Sequence, residues 1–425
     1  MPTPPSALTV LIVAENASSK FGGEAFLPLK YFQILKRREY DAKLITHVRN
    51  QSDLDVFLEA YKDDIQYVPD TVWHRATWQF SRIFPAKVGE ILSDGLMKLA
   101  SSHAQSKLIR GLIREDRVNL IHQPTPVSPK SPSAMHRFGL PLIIGPMNGG
   151  MVYPKGYEDF EGYFTRHFVN LVRSLAFFVN RVVPGKHRAK ALLVANKRTR
   201  EALPVSNHPN VIEIVENGVD LSTWQAPVRR SLRSLDDKKP FRLIFMGRLV
   251  DWKAVDITLH ALHLARAGGI DIRLDLLGDG TARAELEALS RQLDLDEAVT
   301  FHGFLPQSEC AEKLLQADAL ILNSVFECGG AVVLEAMSMG LPVIASDWGG
   351  PADYLDDSCG VLVPPSPREG FADRLSAAIL SLATNPELCS KMGQAGIARI
   401  QNEYDWEKKV DQMLAVYHQA VSPQP

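Results

Sequence analysis

The chain has little of what would tie it to disulfide, membrane or metal architectures. Its 425 residues include four cysteines, Cys310, Cys328, Cys359 and Cys389. All lie in the second half, with no C-x-x-C pair and no zinc spacing. A disulfide scaffold is excluded, and a reducing compartment is expected. No apolar stretch reaches the roughly 18 residues that a membrane span needs. Met1–Ser6 carries no basic n-region, so the apolar run Leu8–Ala14 reads as a buried strand rather than a signal peptide. No D-x-D pair stands at a predicted strand end, and no internal repeat or low-complexity tract interrupts the chain.

What is present describes a globular protein: 45% hydrophobic and 23% charged residues. The length exceeds one ordinary core, so two domains are expected. The net charge of −2 hides an asymmetry. Residues 1–220 carry 28 Lys/Arg against 21 Asp/Glu, and the remainder carries 19 against 28. A basic first half suits an anionic acceptor or an acidic lipid surface, and ordinary scatter of charge gives the same numbers.

The pattern predicts parallel α/β organisation. Thr9–Ala14 reads as a strand, Gly22-Gly23-Glu24 as a turn, Ala25–Arg38 as a helix and Ala42–His47 as a second strand. Val118–His122 and Pro141–Ile144 read as further buried strands. Residues 51–100 resist assignment; Trp73, Trp78, Phe80 and Phe84 are expected in a core. A second unit begins at Phe241–Met246, and strands recur at Arg273–Leu277, Val299–His302, Ala319–Asn323 and Pro342–Ser346. Helical patterns over 255–267, 281–293 and 307–316 separate them. The charged, proline-bearing stretch Ala226–Pro240 reads as a linker. Trp406, Val410, Met413, Leu414 and Tyr417 form a terminal helical stripe.

The chemistry concentrates in Glu327–Glu335, E-C-G-G-A-V-V-L-E. Two carboxylates bracket two glycines and an apolar run. Glycines let backbone approach a ligand, and a helix starting just after them aims unpaired N–H groups and a positive dipole end at it. The arrangement suits a sugar nucleotide: amides for the diphosphate, one carboxylate for sugar hydroxyls, the other for a ribose.

This E-x7-E element resembles the donor site of the retaining glycosyltransferases of family four. Other matching elements follow in order: Asn217-Gly218-Val219-Asp220, Gly247-Arg248-Leu249 with Lys253, Gly278-Asp279-Gly280, Phe301-His302-Gly303-Phe304, Ala317-Asp318 and Gly349-Gly350. The resemblance is specific over residues 217–357 and looser before them. It implies the GT-B fold: two Rossmann-like doubly wound domains facing across a cleft, with a C-terminal helix crossing back to the first. The expected division is 1–220 for the acceptor, 221–403 for the donor and 404–425 for the bracing helix.

The resemblance assigns Arg248 and Lys253 to the leaving diphosphate, whose developing charge a guanidinium and an ammonium stabilise. It places Glu327 on hydroxyls of the donor sugar, Glu335 on the ribose, and His122 near the sugar or its phosphate. Gly22, Gly23, Gly247, Phe304, Leu305, Gly329, Gly330, Ala331 and Val332 complete the expected donor contacts. Asn148, Gly149 and Gly150 are expected to contact the acceptor. Two positions depart from the family pattern: Ala254 replaces the glycine that commonly follows the Lys, and Gly329 stands where an aromatic is frequent. Cys328 reads as packing.

The implied activity is metal-independent, retaining transfer of a hexose-type sugar from a nucleotide diphosphate sugar, with a UDP-sugar first. No cofactor is expected. The acceptor would be a saccharide or lipid-linked glycan, in surface polysaccharide or glycolipid synthesis. A nucleotide-sugar epimerase and a non-catalytic sugar-nucleotide binder are the alternatives. The expected place is the cytoplasm or the inner membrane surface, with no nucleic-acid partner. Residues 164–188 carry an apolar stripe and recurring arginines. Such a stretch fits an ordinary domain helix or a basic amphipathic helix on a membrane.

Overall fold

Short apolar runs, buried on both faces, build this protein around two all-parallel sheets. The computed structural model describes residues 8–18, 22–70, 104–115, 117–161, 175–205, 207–225 and 239–422. The chain divides into two units. One comprises Met1–Gly150, Glu161–Asn217 and Glu407–Pro425, and the other Met151–Phe160 and Gly218–Trp406.

The first unit holds β1 (Thr9–Val13), β2 (Asp41–His47), β3 (Ile65–Val68), β4 (Leu120–Gln123), β5 (Leu142–Met147), β6 (Ala191–Val194) and β7 (Val211–Glu213). Their order across the sheet is β3-β2-β1-β4-β5-β6-β7. The helix Gly22–Arg37 makes the crossover from β1 to β2 and buries Leu27, Tyr31, Phe32 and Leu35 at helical spacing. A core of Leu11, Val13, Ile45, Ile121, Leu142 and Leu192 lies against the sheet.

The second unit holds β8 (Phe241–Met246), β9 (Ile272–Leu277), β10 (Val299–Gly303), β11 (Ala319–Leu322), β12 (Val343–Ser346) and β13 (Gly360–Val363). Their order is β10-β9-β8-β11-β12-β13, which is the Rossmann order. The direction of winding reverses between β8 and β11. Ligands of such sheets bind outside the carboxyl ends of strands at that switch point. The loops leaving β8 and β11 carry Gly247–Lys253 and Asn323–Gly330.

The predicted strands of the second unit lie within a residue of those observed. β3, β6, β7 and β13 were not anticipated; each is three or four residues long. Gly22-Gly23 opens a helix instead of forming a separate turn. Residues 151–160 group with the second unit, although the sequence division placed them in the first. The helix Trp406–Val421 lies almost wholly in the first unit. The aromatics Trp73, Trp78, Phe80 and Phe84, and most of the 226–240 linker, lie outside the described residues.

Candidate active site

The loop leaving β8 is held from below. Its short turn Asp251–Lys253 ends at Ala254, which sits in the left-handed region at φ 52° and precedes the helix Val255–Arg266. Asn323, fully buried just past β11, donates from Nδ2 to the Ala254 carbonyl at 2.8 Å. Thr258 Oγ1 donates to Asn323 Oδ1 at 2.6 Å. The Val325 N–H donates to the Trp252 carbonyl at 2.9 Å. These bonds stitch the two switch-point loops together and fix where Arg248 and Lys253 project. Arg248 is exposed, with its guanidinium carbon 5.9 Å from the centre of the Trp252 ring.

Lys253 and Glu327 form a partly buried ion pair, Nζ to Oε2. A side chain at Gly247 would stand 3.7 Å from that Nζ, so the glycine lies directly beside the ammonium. The Glu327 carbonyl accepts from the Gly350 N–H at 2.8 Å. A β-carbon at Gly350 would fall 2.0 Å from the Gly329 carbonyl oxygen, so only glycine allows the two loops this approach. Gly330, at φ 91°, turns the chain into the helix Ala331–Ser338. The left-handed turn is a glycine conformation, and the helix begins where the sequence placed it. The N–H groups of Ala331 and Val332 stand at its open end, while the Val333 N–H donates to the Gly330 carbonyl at 3.0 Å.

Glu335 lies on the same helix, and burial pushes its carboxyl up to about 7. Cys310 is its neighbour: burial pushes the thiol up to about 11, and the Glu335 charge adds to the effect. The Cys310 thiol faces the Leu305 carbonyl at 3.6 Å. Phe304 is 83% exposed at the end of β10. Two groupings therefore involve the helix Ala331–Ser338, one at the loop before it and one at Glu335 in its second turn. Gly247, Lys253 and Glu327 form one; Leu305, Cys310 and Glu335 form the other.

The first-unit candidates are placed differently. His122 is fully buried, with Nε2 donating to the Gly145 carbonyl at 2.7 Å and Nδ1 accepting from the Tyr417 hydroxyl at 2.7 Å. Burial lowers its pKa to about 4, so the ring is neutral. Both ring nitrogens are bonded inside the core of the first unit. Asn148 is also buried, donating to Glu216 Oε1 at 2.7 Å. The Gly149 N–H donates to Thr199 Oγ1 at 3.0 Å, and Gly150 has φ 76°. These bonds show a braced turn at Asn148–Gly150. Gly22 and Gly23 open the first helix.

The sequence reading missed Asn323, Thr258 and Trp252, which position the charged loop. It also missed the ten residues 151–160. Tyr153 stacks on Phe326, centroids 4.7 Å apart, next to Glu327. The Val152 carbonyl accepts from Trp348 Nε1 at 3.0 Å, and Ser366 Oγ donates to the Lys155 carbonyl at 2.7 Å. A polar Asn ending the apolar run Ala319–Leu322 was the one local signal available. The Tyr153 contact has none.

Residues 231–399 match the family model described as Glycosyl transferases group 1. A glycogen synthase of Mycobacterium tuberculosis is 29% identical over 207 residues, 48% of either chain. A D-inositol 3-phosphate glycosyltransferase of Pseudarthrobacter chlorophenolicus is 31% identical over 250 residues, 56% of this chain and 58% of that protein. The chain thus spans about half the length of the curated relatives it matches. Among solved structures, Anabaena HepE in complex with UDP aligns over 97% of this chain and 100% of its own, with TM-score 0.69 and 16% identity. The lipopolysaccharide outer core galactosyltransferase WaaB aligns over 96% and 99%, with TM-score 0.64 and 16% identity. These likenesses show the GT-B fold.

Proposed function

We propose that this chain, whose residues 231–399 match the group 1 glycosyltransferase family within a GT-B fold, transfers a hexose-type sugar with retention of configuration. The donor is a nucleotide diphosphate sugar, with UDP as the nucleotide of choice, since HepE is described in complex with UDP. The observation that carries the reading is the Lys253–Glu327 ion pair beside Gly247, set at the start of the helix Ala331–Ser338.

In this reading Lys253, Arg248 and the N–H groups of Ala331 and Val332 face the diphosphate. Glu327 takes hydroxyls of the sugar, and Glu335 takes the ribose. The bond between the anomeric carbon and the diphosphate oxygen breaks, and its electron pair leaves with the diphosphate. The acceptor oxygen bonds to the same face of the anomeric carbon and passes its proton to the departing diphosphate. The protein supplies position and charge complementarity rather than a base of its own. The acceptor is a saccharide or a lipid-linked glycan. Asn148–Gly150 stays a candidate acceptor contact through its backbone.

The test is UDP release from a panel of UDP-sugars with and without mono- and disaccharide or polyprenyl-linked acceptors. Proton NMR of the product reports its anomeric form. Acceptor-dependent release, retained configuration and persistence in excess chelator support the reading. Inverted product or interconversion of UDP-sugars without an acceptor would overturn it.

A further inference from the structure

We propose that the helix over residues 175–182 is a docking face for an anionic lipid bilayer. At 3.6 residues per turn, Ala176 and Asn180 point the same way, and both are buried. Asn180 Nδ2 donates to the Ala176 carbonyl at 2.8 Å and to the Lys130 carbonyl at 2.9 Å. Next along the chain, Lys186 is buried, with Nζ donating to the Pro129 and Ser131 carbonyls. The helix is therefore fastened along one edge.

The rest of its circumference faces outward. Phe177 is 58% exposed, Phe178 65% and Val182 64%, with Leu175 and Val179 exposed beside them. Arg181 is the one charged residue of that arc. A helix on the surface of a globular protein normally turns polar residues outward. Contiguous apolar exposure of this kind marks an interaction surface. The sequence about it carries one sign of charge. From residue 162 to 200 the sequence carries nine Lys/Arg and no Asp/Glu. Arg181, Arg188 and Lys190 are exposed, and the turn Gly185–Arg188 packs on the turn Met135–Phe138, which carries Arg137. Phenyl rings that enter the acyl boundary, ringed by cations that meet anionic headgroups, are the two components of interfacial binding. Among the described residues no helix is long and apolar enough to cross a membrane, so the contact is peripheral.

The inference is independent of the proposed transfer and is tested without it. The full chain is sedimented with vesicles of phosphatidylcholine alone and of phosphatidylcholine mixed with phosphatidylglycerol. Binding to the mixed vesicles, weakened by high salt, is expected. The double substitution Phe177→Ser, Phe178→Ser should lower it about tenfold or more. Arg181→Glu should weaken binding to the mixed vesicles, and serves as the deciding variant if the double one melts early. No binding by the wild type, or equal binding by wild type and the Arg181→Glu variant, would overturn the proposal. So would a dimer, measured by light scattering, that the serine substitutions dissolve.

Discussion

Ala254 shows how a single residue records a departure from a pattern. Its backbone lies at φ 52°, where a β-carbon is strained by about 1–2 kcal/mol and glycine is not. Ala254→Gly should hold or raise the thermal midpoint, and the branched Ala254→Val should lower it; calorimetry decides. Arg248 and Lys253 are separable by the same reasoning. Neither is buried in a core, so Arg248→Ala and Lys253→Ala should fold normally while each loses roughly a hundredfold in turnover. A wild-type rate in either variant would remove that residue from the mechanism. Glu335 adds a pH signature. Its carboxyl titrates near 7 in the folded chain against 4.5 when unperturbed. Between those values unfolding releases a proton, so this group's contribution weakens the fold as pH rises from 4.5 to 7, then levels off. Glu335→Gln removes that contribution. The melting-point difference between the variant and the wild type should therefore grow in the variant's favour from pH 5 to pH 8. The same variant should bind UDP more weakly. A difference that does not change with pH would contradict the buried carboxyl.

Elements with long apolar runs could be read directly. β8, β11 and β12 are four to six residues of mainly apolar sequence, every one but Arg242 buried. The helix Ala331–Ser338 was readable because two glycines precede an apolar run. β7 was not, since two of its three residues are only half-buried and the third, Glu213, is exposed at the sheet edge. The partners of His122 were not legible, because a strand's pattern tells which residues are buried, not whether a polar one finds partners there; those partners, Gly145 and Tyr417, lie in other elements. Long-range contacts leave no local trace either, and Asn323 and Ala254 stand 69 positions apart. The segment 151–160 is the clearest case. Its Tyr153 ring lies on Phe326, and Met151 comes against Gly349, whose own β-position would meet the Glu327 carbonyl oxygen at 2.4 Å. The segment therefore supports the loop that carries Glu327. Tyr153→Ala should lower stability by about 3–5 kcal/mol, the scale of deleting a buried aromatic side chain, and reduce turnover more than UDP affinity, whereas Tyr153→Phe should keep both. If alanine left turnover untouched, the stack would be packing without influence on Glu327.

At the scale of the whole molecule, the chain ends in the unit where it began. After Trp406 the terminal helix returns to the first unit and buries Val410, Met413 and Tyr417 completely. Arg38 binds it from the first helix, donating to Glu407 Oε2 from Nε at 2.9 Å and to Asp411 Oδ1 from Nη1 at 2.5 Å. Lys409 is 1% exposed and donates to the Val215 carbonyl. Burial lowers its pKa to about 8, while the nearby Glu216 charge opposes that shift. Tyr417 completes the anchoring through His122. A helix with so many buried partners is part of the first unit's core and not an appendage. Tyr417→Phe should cost about 1–3 kcal/mol, because it leaves Nδ1 of a buried neutral histidine without a donor. Truncation after Trp406 would strip the cover from Tyr31 and His122. The first unit should then lose its cooperative urea transition, while the second, whose sheet and loops close without the helix, should keep UDP affinity. A truncated chain that unfolds like the full-length protein would show that the helix contributes nothing to the first unit, and the burial of Tyr417 would need another explanation.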